Sequence, residues 1–236
     1  MKTQLLLPAL TALALAPTAF AQVVNGDFSS SLSGWSASGD ASVRNGAGFV
    51  TTASFAEDDD GLGSGFFNFS GNETTFAADM ETALGLSTDS LSPDTGGGVF
   101  AYEGSAIFQS ITVQAGEVLS FNWTFLTNED GGSDYAFLVI DGSIFNLSTG
   151  ASLSPVSTYD YDFTTSGQSY QSAAFGGAAT ITVGFGVVDV DNFAGSSALI
   201  VDNVSVAAIP EPSAFAALAG FAALGLVALR RRTRAA

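Results

Sequence analysis

The sequence predicts an all-β ectodomain, an antiparallel β-sandwich, set between an N-terminal signal peptide and a single C-terminal transmembrane helix. Three observations carry this expectation. Apolar and polar residues alternate at period two in five segments of the middle of the chain, the pattern of strands with one face on a core. Gly, Asn, Asp and Ser punctuate those segments, and no βαβ alternation is present that would call for a parallel sheet. Both ends differ from the middle in composition, each with an uncharged apolar run beside basic residues.

Taken in order, the chain opens with Met1-Lys2, an apolar run from Leu5 to Leu15, and Ala19-Phe20-Ala21. A charged start, a short apolar core and small residues at Ala19 and Ala21 make a secretory signal with an A-x-A cleavage site, so residues 1–21 leave and the mature chain begins at Gln22. Residues 22–209 form the ectodomain. Its strands are read from Ile107, Ile111 and Val113; from Leu119, Phe121, Trp123 and Phe125 alternating with Ser120, Asn122 and Thr124; and from Ala136, Leu138 and Ile140, which end at the turn Asp141-Gly142. Ile181, Val183, Phe185 and Val187 make a fourth run, and Ala198 to Val206 a fifth. A short helix is expected near Phe76–Leu86, and long loops at Glu57–Gly65 and Asp89–Gly98. Trp35 and Trp123 are expected in the core, where large aromatic rings usually lie.

Composition excludes several chemistries. The chain has no Cys and no His, so disulfides, thiolate-ligated metals and a Ser-His-Asp triad are absent. The only lysine is Lys2, within the signal, so no phosphate loop with its lysine exists. Between Gln22 and Ile209 a single base, Arg44, faces 22 acids, a net charge of −21. Such a surface repels nucleic acid and favours solubility and divalent cations. With so many carboxylates, no pair is distinguished as a glycosidase dyad. The expectation is a non-catalytic protein.

The C-terminus has three parts in strict order: Pro210-Glu211-Pro212, an uncharged apolar stretch Ser213–Leu229, and the basic group Arg230, Arg231, Arg232 and Arg234. As a helix the 17-residue stretch spans roughly 25 Å, at the short limit for a hydrocarbon core about 30 Å thick. The arginines should stay cytoplasmic and leave the ectodomain outside. Residues 210–236 closely resemble the PEP-CTERM sorting signal of Gram-negative bacteria that make extracellular polysaccharide. The resemblance implies recognition by an exosortase, removal of the tail, transient membrane attachment through the helix, and delivery to the cell surface or an exopolysaccharide matrix. The partners it implies are the exosortase and an exopolysaccharide or cell-surface glycan.

A second resemblance concerns the ectodomain. Asn25-Gly26-Asp27-Phe28, Leu32-Ser33-Gly34-Trp35 and the closing Leu199-Ile200-Val201-Asp202-Asn203-Val204-Ser205-Val206 are similar to the first and last strands of galactose-binding-like jelly rolls, a fold shared by many carbohydrate-binding modules. The resemblance implies a jelly-roll-like sandwich and a calcium ion tying the first strand to the last. Asp27 and Asp202 match its ligand positions, with Asn25 or Asn203 as helpers. Phe125-Leu126-Thr127-Asn128-Glu129 with Asp134-Tyr135-Ala136-Phe137 resembles a pattern common in PEP-CTERM ectodomains. Neither Glu57–Gly61 nor Asp189–Asn192 has EF-hand spacing. For glycan stacking the candidates are Trp35, Tyr102, Tyr135, Tyr159, Tyr161 and Tyr170; the most attractive cluster is Tyr159-Asp160-Tyr161-Asp162, which on a strand would place both rings on one face and both carboxylates on the other. The functional expectation is an exported, exosortase-sorted surface or matrix protein; the alternative is a carbohydrate-binding module stabilised by calcium.

Overall fold

The computed structural model describes residues 23–56, 66–129, 132–148, 152–156, 158–191, 195–209, 220 and 224–225. The expected signal peptide with Ala19 and Ala21, the expected loop Glu57–Gly65, and Pro210, Glu211, Pro212, Arg230, Arg231, Arg232 and Arg234 of the expected sorting tail lie outside the described residues. In chain order the strands are β1 (Ser36–Ser38), β2 (Ala41–Arg44), β3 (Ala47–Thr51), β4 (Thr75–Phe76), β5 (Ala101–Val113), β6 (Glu117–Thr127), β7 (Tyr135–Ile140), β8 (Ser143–Asn146), β9 (Ser154–Pro155), β10 (Phe163–Thr164), β11 (Gln168–Gln171), β12 (Ala179–Val190) and β13 (Ser197–Ala208). Helix α1 (Ala77–Leu84) lies between β4 and β5, and a 3-10 turn spans Thr158–Asp160.

These strands make two antiparallel sheets packed face to face. The first has the order β1-β5-β12-β7-β8, with β4 also on β5; the second has β2-β3-β13-β6-β10-β9, with β11 also on β6. Period-two alternation sets which side chains meet between them. Ile107, Ile111, Leu138, Val183 and Phe185 of the first sheet pack on Val50, Phe121, Phe125, Leu199 and Val201 of the second. An aromatic row runs through this core: Phe28 stacks on Trp35 at 5.3 Å, Trp35 meets Phe185 at 5.9 Å, and Phe185 meets Phe121 edge-on at 4.7 Å. Each such ring contributes roughly 1.5–3 kcal/mol by burial. Trp35 and Trp123 are core residues, as expected.

The outer faces are covered too. Met80 and Leu84 of α1 pack with Phe137, Val139, Val188 and Val190 on the outer face of the first sheet. The helix sits close because β12 presents Gly184 and Gly186 there. A Cβ at Gly184 would lie 2.6 Å from the Leu84 side chain, and one at Gly186 would lie 2.3 Å from the Phe137 ring. Helix α1 ends at Gly85, whose left-handed φ of 70° lets its N–H return to the last turn. On the outer face of the second sheet, Phe49, Leu126 and Ala198 carry a smaller cluster with Phe67 and Tyr161.

One expectation about the ends of the domain is modified. The segment Asn25–Trp35 is not a first strand: it is a run of turns with left-handed φ at Asn25 (53°), Phe28 (51°) and Ser31 (56°). It nevertheless lies beside the last strand, because Val204 N–H donates to the Gly26 carbonyl at 2.9 Å where β13 slips register between Asp202 and Ser205. Gln109 of β5 clamps the same segment: its amide accepts from Val24 N–H at 2.8 Å and donates to the Gly34 carbonyl at 2.7 Å. Among the described residues no helix is long and apolar enough to cross a membrane, and the expected C-terminal helix lies largely outside them.

Candidate functional site

Two places on the sandwich answer to the residues singled out by the sequence. The first is an open cleft of ≈ 430 Å³ between the opening turns and the irregular part of β13, lined by Val23, Asn25, Gly26, Asp27, Asn203, Val204 and Ser205. The fold thus brings Asp27 and Asn25 together with Asn203, residues almost 180 positions apart in sequence. Gly26 is required at the back of the cleft, since a Cβ there would lie 2.0 Å from the Val204 carbonyl oxygen. Asp27 is exposed, and the Ser29 backbone and hydroxyl hydrogen bonds hold its carboxyl below the usual range.

Asp202 does not line the cleft. One of its carboxylate oxygens accepts from the Asn203 backbone N–H at 2.6 Å and the other from the Asn203 side-chain amide at 2.9 Å. Asn203 itself has a left-handed φ of 55°, which an Asx-type contact tolerates. The cleft therefore offers one carboxylate with amide, hydroxyl and carbonyl oxygens, whereas calcium takes six to eight oxygens, commonly from several carboxylates. Of the expected calcium pair, only Asp27 lines the cleft. Among the described residues no three acids gather closely enough to hold a metal ion.

The second place is the neighbourhood of Tyr159 and Tyr161. These do not form a stacking face on a strand. Tyr159 (φ 55°) and Asp160 (φ 66°) are both left-handed, which breaks the period of two and turns the rings apart. Tyr161 is 0% exposed and packs on Phe67 at 4.8 Å, so it is a core residue and cannot meet a sugar. Tyr159 is half-buried; it meets Phe49 edge-on at 5.1 Å, and its hydroxyl accepts from the Asn45 side-chain amide at 2.5 Å.

That contact leads to a group the sequence reading did not place in a site. Asn45-Gly46 is the tip of the β2–β3 hairpin, with φ of 52° and 80°, the conformation of a tight two-residue turn. Arg44 precedes it, and its guanidinium lies 4.1 Å over the Phe69 ring and 5.6 Å from the Tyr159 ring. Phe69 is placed by Asp40, a buried carboxylate that accepts from Phe69 N–H at 3.1 Å, Ser70 N–H at 2.7 Å and the Thr51 hydroxyl at 2.6 Å. Three segments remote in sequence thus converge on Arg44, the one basic side chain between residues 22 and 209. Its isolation among 22 acids was the signal that could have found it.

The Phe125–Glu129 and Asp134–Phe137 pattern has a structural role. Val190 N–H donates to Asp134 at 3.0 Å, and Asp134 N–H reaches the Glu129 carboxylate at 3.4 Å, while Asp162 N–H donates to Asn128 at 2.9 Å. These bonds join the β6–β7 connection to the end of β12 and to the loop before β10. Of the other tyrosines, Tyr135 is buried, Tyr170 stacks on Phe121 at 5.1 Å, and Tyr102 is exposed. Neither a protein-family model nor a curated protein matches the chain.

Proposed function

We propose that the chain is an exported, non-catalytic protein of the cell surface or exopolysaccharide matrix, released and sorted by an exosortase acting on its tail. The observation that carries the reading is the order of parts in the sequence: cleavable signal, acidic sandwich, Pro210-Glu211-Pro212, apolar Ser213–Leu229 and the arginine group. The fold is compatible with that order. The last strand ends at Ala208, two residues before Pro210, so removal of everything from Pro210 onward would leave both sheets intact. The sandwich, which resembles a jelly roll at its two ends, would be the displayed part, and the tail a transient membrane helix. Its exposed Ser, Thr and Asp and its net charge of −21 suit a hydrated matrix component. The test is fractionation in an exosortase-bearing host. The wild-type chain should reach the surface or medium, and a variant with alanine at Pro210, Glu211 and Pro212 should stay in the membrane fraction. Equal distribution of the two would refute the sorting assignment.

A further inference from the structure

We infer that Arg44, seated on Phe69 and Tyr159, binds the carboxylate of an acidic sugar, such as a uronic acid residue of an extracellular polysaccharide. The inference rests on the matrix reading for the source of the ligand and on the following geometry for its chemistry. An arginine in a domain with 22 acids has many chances to pair with one. Arg44 instead has no carboxylate or carbonyl partner for its guanidinium among the described residues; its contacts are the two ring faces. A contact with ring faces uses none of the guanidinium N–H groups, so they stay available to an acceptor. Those N–H groups match a carboxylate in a bidentate pair. The side chain is half-exposed at a hairpin tip, so the edge is reachable.

The seat is also held at a cost. A tyrosine with φ of 55° followed by an aspartate with φ of 66° is a sparsely populated backbone, of the kind that persists where surrounding structure over-determines it. Here that backbone brings the Tyr159 ring to the guanidinium and its hydroxyl to Asn45. The exposed Asn45 amide beside the arginine can hydrogen-bond sugar hydroxyls. The domain's overall negative field does not forbid the contact, because at physiological salt it is screened within about 8 Å.

The test is calorimetric titration of the full chain in detergent with trigalacturonic acid, its methyl ester and hexaglutamate. The acid should bind saturably, and the ester and hexaglutamate at least about tenfold more weakly. Arg44→Gln should abolish binding of the acid. Arg44→Lys, which keeps the charge but loses the fork and the stack, should weaken it about tenfold. Equal affinity for acid and ester on the unaltered protein would overturn the inference, as would equal binding of hexaglutamate, no saturable binding of the acid, or full affinity in Arg44→Gln. The acid–ester comparison needs no variant, so a folding defect cannot obscure it. Acid binding by a chain whose tail is never processed would strike the sorting assignment and leave the seat standing; processing without acid binding would do the reverse.

Discussion

Replacing Asp40 by Ala removes the buried carboxylate that fixes the Phe69 loop to the sheet. Three donors lose their acceptor: the Thr51 hydroxyl at 2.6 Å, Ser70 N–H at 2.7 Å and Phe69 N–H at 3.1 Å. Hydrogen bonds to a charged group are each worth roughly 1.5–3 kcal/mol. Phe69 and Ser70 are half-exposed and can recover water, and the carboxylate's own desolvation cost disappears with it. The net loss is therefore put at about 3 kcal/mol, or a fall in melting temperature of about 6–12 °C for a domain of this size. Asp40→Asn, which keeps one acceptor oxygen but turns an amide toward the donors, should lie between Ala and wild type. Guanidinium denaturation gives the stability, and hydrogen exchange at the Phe69 and Ser70 amides gives the local effect, which should be accelerated even under native conditions. A loss below about 1 kcal/mol with unchanged exchange would refute the claim that this carboxylate organises the loop.

Three further outcomes follow from the same contacts. Gly186→Val should cost about 2–3 kcal/mol in denaturant titration, because a Cβ there would lie 2.3 Å from the Phe137 ring and the packed core must move to admit it. Burial, with the nearby Glu81 charge, pushes the Tyr135 phenol above its ordinary value of 10.0, and its hydroxyl donates to the Leu91 carbonyl. The stability from this raised value is fully present below pH about 10 and is lost as pH rises toward the folded value, so melting temperature should fall on the alkaline limb and Tyr135→Phe should flatten that limb. In acid the sign reverses. The Ser54 hydroxyl and the Ala56 and Phe55 N–H groups hold Glu73 below its ordinary value of 4.5, so its contribution persists above that pH and fades as pH falls through the folded value; Glu73→Gln should show a shallower melting profile between pH 5 and pH 3.

The strands were legible where one face alone decides the pattern. Leu119, Phe121, Trp123 and Phe125 alternate with polar residues because the opposite face of that part of β6, with Ser120, Asn122 and Thr124, is open to solvent. In β7 the residues Tyr135, Phe137 and Val139 are as buried as Ala136 and Leu138, since α1 covers the outer face, and the alternation survives only as a continuous apolar run. The short helix was readable as Phe76–Leu86, but the glycines of β12 that admit it were not recognisable as a packing device without knowing what lies above them.

Site residues were harder to read for a related reason. Whether Tyr159 and Tyr161 share a face depends on two backbone angles, and neither Tyr nor Asp signals a left-handed conformation as Gly does. The juxtaposition of Asp27 with Asn203 was legible through the resemblance of the two ends, whereas the turning of Asp202 onto its own neighbour depends on the register slip in β13. Phe69 could not be linked to Arg44 from sequence, since Asp40 and the hairpin bring them together through tertiary hydrogen bonds.

The central claim is tested most directly by the intact mass of the protein recovered from the surface or medium of an exosortase-bearing Gram-negative host. The account predicts a chain beginning at Gln22 and lacking the apolar segment Ser213–Leu229 and the four arginines after it. A surface-delivered chain that still carries them, with the same mass whether or not the host has its exosortase, would contradict it.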